Sequence, residues 1–598
     1  MLQPDNAHTT EVRLRLGGPA GFGIKAAGQS LARVFARSGY ETFDLTEYPS
    51  LIKGGHNTYH LRISDSPIAS HVIATDILVA LDRLTVELHT EELSPAAAII
   101  YDPDDFDISD IQVPGFDPSS YCIVPVLFSK IVRDVGGLPI MKNVAALGAV
   151  LGYLNFPFEA LQASIEQQFA RKDPSITEQN IEVARKGYEY AQESECGFPL
   201  RLGVLEGREP RMLLDGNEAV CLGALAAGIG LYCAYPMTPS SSLLHLMAAH
   251  AESEGVVVKH TEDEIAAVNM VIGGAFGGTR SMCATSGGGF SLMVEGFGFA
   301  GVSETACVIG VFTRPGPATG MPTWTEQSDL RFVIHASQGE FPRVVLAFGD
   351  HQDAFEMTWR AFNIADELQT PVILLGDTYL SDNRATVPLF DTEAVTIKRG
   401  SFVAEGDISK HPDALNAEGV YARYKVTESG VSIRALPGVK GAQQIVNSYE
   451  HDEIGWGARG EIADIRIAQN EKRMRKLDLA KTIVPPPAYF GPDETELSIL
   501  LFGSTKMPAM QAQQWLADDG VPVNLMQVTT VWPFPAEEVR SFITSAKRTA
   551  IIEGNMTGQL RGLVKEHCLL DVDYTLLRYD GRPFSPEQIV TWVKEVIG

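Results

Sequence analysis

Four polar clusters follow strand-like apolar runs in the middle of this sequence, and their residue types suit the wall of a cofactor pocket. In open parallel sheets, ligands bind outside the carboxyl ends of the strands, where the connecting loops gather. At such strand ends, an acid can transfer protons and a hydroxyl can form hydrogen bonds. A glycine lets the backbone approach a ligand closely, and an arginine can bind a carboxylate. The clusters are Tyr235–Ser240, Thr261–Glu264, Ala284–Gly289 and Thr313–Pro317.

Glu264 is the residue of these clusters best suited to proton transfer. It precedes the run Ile265–Gly274, which is apolar nearly all round and therefore predicts a buried helix. A carboxyl at the start of a buried helix is partly desolvated and needs a partner or a chemical role. We expect its neighbours Glu262 and Asp263 only to offset the positive end of the helix dipole.

Thr238 and Arg314 each have two interpretations. Thr238 precedes Pro239 and predicts a helix start that the threonine caps, but the same placement would turn its hydroxyl towards an anion at the strand ends. Arg314 follows an apolar strand in a loop stiffened by prolines, where its guanidinium could bind a carboxylate in bidentate fashion. An internal salt bridge is the alternative for Arg314.

Two glycine-rich turns near the N-terminus suit phosphate binding. Gly17–Gly23 lies between a strand pattern and a helix pattern, although its spacing departs from the dinucleotide-binding fingerprint. Lys53–Asn57 is a second candidate for an anion-binding turn. The alternative for both segments is a tight turn without a ligand.

The length and periodicity predict a multidomain α/β protein. A chain of 598 residues is too long for one core and favours roughly three to five domains. Residues 1–195 form a first α/β block, and residues 212–385 alternate helix and strand as in right-handed βαβ units, which predicts a doubly wound sheet. Residues 386–490 are interpreted as a connecting arm, and residues 491–598 as a small α/β domain.

Composition excludes several classes of protein. The formal charge of −27 argues against a nucleic-acid-binding or anionic-membrane surface, since either would need a basic stripe. The seven cysteines form no CxxC pair, so a zinc site or a cysteine-ligated iron-sulfur cluster lacks its usual spacing, and we expect most of them to be buried thiols. The start of the chain lacks a signal-peptide pattern, and we expect a cytoplasmic protein.

Taken together, these segments resemble the 2-oxoacid:ferredoxin oxidoreductases, in the form in which a gamma-type domain is fused ahead of the alpha-type domains. The resemblance covers nearly the whole chain, and it depends on the order and spacing of several short motifs. These are Tyr235–Ser240, Glu264, Ala284–Gly287, the arginine loop before Gln327–Asp329, Arg423-Tyr424, Leu436–Gly438, Glu553–Asn555 and Gly558-Gln559.

The resemblance implies a thiamine diphosphate enzyme that decarboxylates a 2-oxoacid, passes electrons to ferredoxin and transfers the acyl group to coenzyme A. Glu264 would bond the aminopyrimidine ring and favour the tautomer that deprotonates the thiazolium carbon. Pro236 would line the pyrimidine side, Arg314 would bind the substrate carboxylate and Thr238 would bond near its carbonyl. Three positions in the first block would contact coenzyme A, namely Lys25, Lys53 and Gly54.

The resemblance also implies the four modules and their names: a gamma-type domain (1–195), a pyrimidine-binding domain (212–385), the connecting arm (386–490) and a transketolase C-terminal-like domain (491–598). The Gly-Asp-Gly motif that holds Mg²⁺ has no good match, since Gly349–His351 and Gly376–Thr378 do not fit. A beta-type partner subunit would therefore bring the diphosphate site, Mg²⁺ and an iron-sulfur cluster, in a dimer of alpha-beta heterodimers.

Several alternatives remain at this point. 2-Oxoglutarate is preferred over pyruvate only on the broad similarity to fused alpha subunits. A non-catalytic scaffold subunit is a second possibility, which the joint presence of Thr238, Glu264 and Arg314 disfavours. A self-sufficient transketolase or a nicotinamide enzyme is disfavoured by the missing motifs. The turn His451–Glu453 could reach the distal end of the substrate, or it could be a solvated charged turn.

Overall fold

The computed structural model describes residues 10–49, 55–194, 196 and 202–598 of the chain. These residues form two compact units. The first contains the described part of residues 1–214 together with 383–389 and 585–588, and the second contains residues 215–382, 390–584 and 589–598.

The first unit begins with alternating strands and helices and continues as a helical layer. In chain order its elements are β1 (Glu11–Pro19), α1 (Ile24–Arg37), β2 (Glu41–Glu47), β3 (His56–Ser64), β4 (Thr75–Ala80), α2 (Arg83–His89), β5 (Leu93–Tyr101), β6 (Cys122–Pro125), α3 (Phe128–Val135), α4 (Lys142–Tyr153), α5 (Phe158–Phe169), α6 (Pro174–Gln192) and β7 (Arg211–Asp215).

The second unit contains the βαβ series predicted from the sequence. Its first elements are α7 (Gly216–Ala226), β8 (Leu231–Ala234), α8 (Ser241–Glu254), β9 (Val257–His260), α9 (Glu264–Phe276), β10 (Ser281–Thr285), α10 (Gly287–Val302), β11 (Cys307–Thr313), α11 (Leu330–His335), β12 (Val344–Ala347), α12 (His351–Leu368), β13 (Pro371–Asp377) and α13 (Thr378–Asp382).

The remaining elements complete both units. They are β14 (Arg384–Pro388), β15 (Phe402–Val403), β16 (Arg434–Ala435), α14 (Gly457–Gly460), α15 (Ala463–Ile483), β17 (Ala488–Phe490), β18 (Leu497–Leu501), α16 (Lys506–Asp518), β19 (Val523–Gln527), β20 (Thr530–Trp532), α17 (Ala536–Ser545), β21 (Thr549–Glu553), α18 (Gln559–Cys568), β22 (Tyr574–Leu577) and α19 (Pro586–Ile597).

A mixed sheet organises the first unit, with strand order β6-β5-β4-β1-β3-β2-β14-β7. Strand β1 is parallel to β4 and antiparallel to β3. Helices α1, α4, α5 and α6 supply one apolar core, to which Phe35, Tyr59 and Phe156 contribute fully buried rings. The α/β character predicted for this block is confirmed.

A seven-stranded sheet organises the second unit, with order β20-β12-β13-β11-β10-β8-β9. All its neighbouring strands are parallel except β20, which is antiparallel to β12. Every residue of β11 is buried, because helices cover both faces of a parallel sheet. The doubly wound sheet predicted from the helix and strand alternation is confirmed.

A smaller sheet follows, with order β17-β19-β18-β21-β22. Its apolar side chains join the core of the seven-stranded sheet, since Leu500, Phe502 and Ile551 pack in the same cluster as Val311 and Ile373. The last α/β block is therefore packed against the sheet that carries the polar clusters.

Helix α15 in the predicted arm is anchored by buried charges rather than by an apolar stripe. Lys472 Nζ lies 2.5 Å from Glu304 Oε1, and Lys476 Nζ lies 2.6 Å from Glu304 Oε2. All three side chains are at most 1% exposed. Arg423 Nη2 also donates to the Glu304 carbonyl over 2.6 Å. The arm is thus fixed by an ion cluster in the interior.

His451 is not part of a solvated turn, so that expectation for this segment is wrong, while contact with the substrate stays a prediction. The imidazole is fully buried, and its two nitrogens lie 3.1 Å from the carbonyl oxygens of Asp452 and Val302. Asp452 Oδ1 accepts from the backbone N–H groups of Ile454 and Trp456. The segment is a structural turn.

The cysteines follow the sequence expectation in part. Cys221, Cys233, Cys283, Cys307 and Cys568 are buried free thiols. Cys122 and Cys196 are joined in a disulfide, which was not predicted because the two residues are 74 positions apart in the sequence.

Candidate active site

Glu264 is the first residue of α9, directly after the loop that follows β9. Asp263 caps this helix, since its side chain accepts from the Ala266 N–H over 2.7 Å, as predicted for a residue at the positive end of a dipole. The backbone turn therefore directs Glu264 inward, and the residue is only 3% exposed.

The Glu264 carboxyl is buried without a full set of hydrogen bonds. Its Oε1 has no hydrogen-bond partner among the described residues. Burial raises the pKa of this carboxyl, and the nearby Asp263 carboxylate raises it further. The prediction of a desolvated carboxyl at this position is confirmed by its geometry.

The start of α10 lies against Glu264. A Cβ atom added to Gly289 would be 2.5 Å from Glu264 Oε1 and would overlap Thr285 Oγ1, so only glycine allows this approach. Ser286, which precedes the helix, is 1% exposed and makes no capping bond, and its Oγ has no partner among the described residues. Two orphaned polar atoms therefore border the first turn of α10.

Thr238 is not the helix cap that the sequence suggested, because α8 begins three residues later, at Ser241. Instead, the Thr238 carbonyl accepts a hydrogen bond of 2.8 Å from Arg314 Nη1. Asn217 Nδ2 donates to the neighbouring Pro239 carbonyl over 2.9 Å, and this bond fixes the loop. A Thr-Pro pair occurs in turns as well as at helix starts, and here it forms a turn.

Arg314 is half-buried and has no carboxylate partner among the described residues. Burial lowers the pKa of its guanidinium. The alternative of an internal salt bridge is therefore wrong, and one edge of the guanidinium is available to a ligand. A desolvated cation without a partner is costly, which is typical of a site that binds an anion.

Strand register brings these residues to one edge of the sheet. Thr285 is level with Val311, and Ala234 is level with His260. The loops that carry Thr238, Glu264, Ser286 and Arg314 therefore leave the same ends of adjacent strands. Tyr235 is 39% exposed and Pro236 is half-buried at this edge. The four clusters therefore lie at one edge of the sheet, as the sequence predicted.

Two residues of this region were not assigned a role from the sequence. Ser286 lies inside a recognised cluster, but only its burial without a partner distinguishes it. Asp329 lies inside the recognised segment Gln327–Asp329, and its side chain contacts the start of α10. An aspartate that precedes a helix is usually a cap, and Asp329 makes no such bond in α11.

In the first unit, the segment Gly17–Gly23 leads from β1 into α1 as the sequence predicted, but the strand extends to Pro19, so the turn is only residues 20–23. Gly23 adopts a left-handed conformation with φ of 70° directly before the helix. Lys25 lies in the first turn of α1, with Nζ 6.0 Å from the centre of the Tyr48 ring. Lys53 and Gly54 lie outside the described residues, so the coenzyme A assignments remain predictions.

Asp350 and Asp377, which lie in the two strings most similar to the Gly-Asp-Gly motif for Mg²⁺, both make structural contacts. Asp350 caps α12 and lies 2.6 Å from Lys506 Nζ. Asp377 is buried, accepts from Ser504 Oγ over 2.5 Å and faces the amide of Gln327. Both carboxylates are therefore occupied by the packing of the last block against the seven-stranded sheet.

The fold and the edge of the sheet define an α/β module of the thiamine diphosphate-binding class, and the family models agree. Residues 222–466 match the model described as pyruvate flavodoxin/ferredoxin oxidoreductase, thiamine diphosphate-binding. Residues 13–190 match pyruvate ferredoxin/flavodoxin oxidoreductase, and residues 495–589 match pyruvate:ferredoxin oxidoreductase core domain II.

The chain belongs to the 2-oxoacid:ferredoxin oxidoreductases, in the form of their alpha subunit. It is 31% identical to 2-oxoacid:ferredoxin oxidoreductase 2, subunit alpha, of Aeropyrum pernix, over 98% of each chain. It is 25% identical to 2-oxoglutarate oxidoreductase subunit KorA of Mycobacterium tuberculosis, over 99% of this chain and 93% of the relative. The resemblance stated from the motifs is confirmed.

A solved structure supports the same fold over the full length. It is 2-oxoglutarate:ferredoxin oxidoreductase from Magnetococcus marinus with 2-oxoglutarate, coenzyme A and succinyl-CoA bound. The TM-score is 0.89 at 30% identity, covering 98% of this chain and 100% of that chain. Among the described residues of our protein, none of the helices combines the length and the apolar character that a membrane crossing requires.

Residues of the second unit fit thiamine diphosphate. The aminopyrimidine ring of this cofactor requires a carboxyl partner in an apolar pocket, and Glu264 Oε1 is a buried oxygen that lacks one. Gly289 leaves the space beside that oxygen open. Both features match a flat heterocycle better than they match internal packing, because an orphaned buried oxygen is otherwise a net cost.

Proposed function

We propose that this chain is the alpha subunit of a thiamine diphosphate-dependent enzyme that decarboxylates 2-oxoglutarate, transfers the acyl group to coenzyme A and reduces ferredoxin. The observation that carries this proposal is the Glu264 carboxyl, which is buried at the strand ends with an unpaired oxygen. Neither a packing role nor a salt bridge accounts for it. A scaffold subunit would have no need to keep such a group buried.

Glu264 acts as the partner of the cofactor ring. When bound, thiamine diphosphate supplies a carbon nucleophile and an electron sink for the decarboxylation. Burial raises the pKa of Glu264, which favours a carboxyl that shares a proton with the ring nitrogen. Pro236 lines the same pocket from the loop after β8.

Arg314 and Thr238 bind the substrate. The free edge of the Arg314 guanidinium is suited to the carboxylate next to the reacting carbonyl, since a guanidinium pairs with both carboxylate oxygens. The bond from Arg314 Nη1 to the Thr238 carbonyl ties the two residues together. The Thr238 hydroxyl would then bond the substrate close to its carbonyl.

A beta-type subunit completes the site. Helices α9 and α10 carry large apolar side chains on the surface beside the cleft, with Ile265, Met270 and Leu292 exposed by 48%, 42% and 50%. Exposed apolar side chains next to a half-formed site are typical of a subunit interface. The partner would supply the diphosphate site with Mg²⁺ and an iron-sulfur cluster, in a dimer of alpha-beta heterodimers.

The substrate assignment to 2-oxoglutarate is supported by relatives. Two of the proteins to which the chain is similar over almost its whole length are named for 2-oxoglutarate, and one of these has coenzyme A bound. The family models are named for pyruvate, so a pyruvate-specific enzyme is the competing candidate. Coenzyme A would approach through Lys25, Lys53 and Gly54 of the first unit.

The test is co-expression with the beta-type subunit, followed by dye reduction with a panel of 2-oxoacids, with and without coenzyme A. We expect coenzyme A-dependent turnover with 2-oxoglutarate preferred over pyruvate. Glu264→Ala should lower turnover by about two orders of magnitude or more, the range for loss of a proton-transfer group. Glu262→Ala, which removes an exposed carboxylate two residues earlier, is the control and should leave turnover unchanged.

Each result has a clear meaning. Preference for pyruvate would reject the substrate assignment but keep the reaction class. An assembled complex without turnover of any 2-oxoacid would support the scaffold alternative. Near-normal activity of Glu264→Ala would show that the carboxyl has no role in catalysis.

A further inference from the structure

Asp329 presents a carboxyl group to the start of α10. A Cβ atom added to Gly287 would lie 2.8 Å from Asp329 Cγ and 3.1 Å from Oδ1, so the carboxyl rests directly against the glycine backbone. The side chain is half-buried and does not cap its own helix α11. No hydrogen bond to this carboxyl occurs among the residues that the structure describes.

The last block of the chain holds Asp329 in this position. Gln327 Oε1 accepts from the Gly554 N–H over 2.9 Å, and Gln327 Nε2 donates to the Phe502 carbonyl over 3.1 Å. Gln559 Nε2 donates to the Ser328 carbonyl over 2.6 Å. The segment before Asp329 is therefore clamped by the loops after β18 and β21, and the carboxyl has little freedom to turn away.

The first turn of α10 is suited to an anion. Its leading N–H groups have no partners within the helix, and they carry the positive end of the dipole of a 16-residue helix. The buried Ser286 Oγ at this end also lacks a partner among the described residues. Since Thr285 is level with Val311, the loop that leads into α10 and the loop that carries Arg314 leave the same ends of adjacent strands.

We propose that the carboxylate of the 2-oxoacid lies between Arg314 and the first turn of α10, and that Asp329 is a positioning residue which, through this turn, opposes the bound carboxylate. This inference rests on the proposed function for the substrate, and it assigns roles to Ser286 and Asp329 that the motifs did not. Arg314 and Ser286 attract the carboxylate, and the negative charge of Asp329 weakens that attraction.

Repulsion between Asp329 and the substrate carboxylate would favour decarboxylation. Decarboxylation breaks the bond between the carboxylate carbon and the adjacent acyl carbon. The electron pair of that bond stays with the acyl carbon, and the carboxylate leaves as neutral CO₂. The charge facing Asp329 is therefore lost in this step, so a repulsion present in the ground state is relieved as the bond breaks.

The charges around Asp329 define when it is ionised. Burial and the carboxylate of Glu326 on the same segment together raise its pKa to about 6. From α9, Glu264 Oε1 lies beside Gly289 in the same helical turn, and Arg314 follows the end of the neighbouring strand β11. Arg331, on α11, is directed away and lies 3.3 Å from Glu566. Asp329 is thus mostly ionised at pH 7.5 and mostly protonated at pH 5.5.

The experiment compares the wild-type complex with Asp329→Asn, using 2-oxoglutarate and pyruvate as probes. Dissociation constants are measured by isothermal titration calorimetry, and KM and kcat by dye reduction, between pH 5.5 and 8. In the wild type, we expect affinity for the 2-oxoacid to fall about tenfold as pH rises through 6. In Asp329→Asn this dependence should disappear, with KM and kcat both lowered about tenfold at pH 8, so that kcat/KM changes little.

Matched variants separate charge from structure. Glu262→Gln removes an exposed carboxylate at the same edge of the sheet and should keep the wild-type pH profile. Ser286→Ala should weaken binding of the 2-oxoacid at every pH. If Asp329→Asn keeps the wild-type pH dependence of affinity, or loses kcat with KM unchanged or raised, the inference is overturned and Asp329 is structural.

Failure of the proposed function would look different. A wild-type complex that binds the 2-oxoacid but does not turn it over would reject the reaction, while the binding ratios would still test Asp329. Absence of binding of either 2-oxoacid at every pH would reject both the substrate site and the role of Asp329.

Discussion

Gly289→Ala tests whether the start of α10 holds Glu264 in its working position. The added Cβ would lie 2.5 Å from Glu264 Oε1 and 2.9 Å from its Cδ, and it would overlap Thr285 Oγ1. Ordinary contact between such atoms needs about 3.5 Å, so the carboxyl must move by about 1 Å. A displacement of that size at a reacting group lowers rates by about 100-fold.

The same substitution changes stability in a calculable way. Overpacking a filled site lowers the free energy of unfolding by about 1–3 kcal/mol. Replacing glycine by alanine within a helix raises it by about 1 kcal/mol. We therefore expect Gly289→Ala to lower the free energy of unfolding by about 0–2 kcal/mol. Gly288→Ala is the matched control, because its nearest atoms, the Ala318 carbonyl oxygen and Met237 Sδ, would be 3.8 and 3.9 Å away.

The assay combines urea unfolding of the purified chain with dye reduction by the assembled complex. Gly288→Ala should gain up to about 1 kcal/mol of stability relative to the wild type. Gly289→Ala should be less stable than Gly288→Ala and should lose about 100-fold in kcat. Wild-type turnover by Gly289→Ala would refute the reasoning, because it would mean that Glu264 works without the contact that α10 makes.

Two further predictions follow from the buried charges. Arg314→Lys should raise KM for the 2-oxoacid by at least about tenfold, since lysine lacks the bidentate fork, while the affinity for thiamine diphosphate stays within twofold; equal losses for both ligands in titrations would give Arg314 another role. Glu304→Gln should lower the free energy of unfolding by about 3–5 kcal/mol, because it leaves the ammonium groups of Lys472 and Lys476 buried without a counterion. Asp478→Asn, which breaks the exposed pair with Lys481 on the same helix, should cost less than about 1 kcal/mol in the same urea titration, and similar losses for both variants would contradict the argument.

The sequence determined the order of the elements and the strand ends that carry the chemistry. Apolar runs of strand length indicated β8, β10 and β11, since a parallel sheet covered on both faces needs continuous apolar strands. The apolar stretch after Glu264 already implied a buried helix and hence a desolvated carboxyl. Arg314 was recognisable for a similar reason, because it follows such a strand directly.

Only the tertiary structure decided what each polar side chain meets. Whether Arg314 pairs internally, whether Thr238 caps a helix and whether His451 is solvated depend on atoms distant in the sequence, and local pattern does not encode them. The same holds for Glu304 with α15 and for the Cys122–Cys196 pair.

The site itself shows this division most clearly. Glu264 and Gly289 are 25 positions apart, and Gly287 and Asp329 are 42 apart, yet each pair is in contact. Periodicity reports which face of an element is buried, because burial repeats along the chain. Periodicity does not show which buried polar atom lacks a hydrogen-bond partner. The partners depend on tertiary contacts, because loops of the second sheet hold one short segment against the first turn of α10.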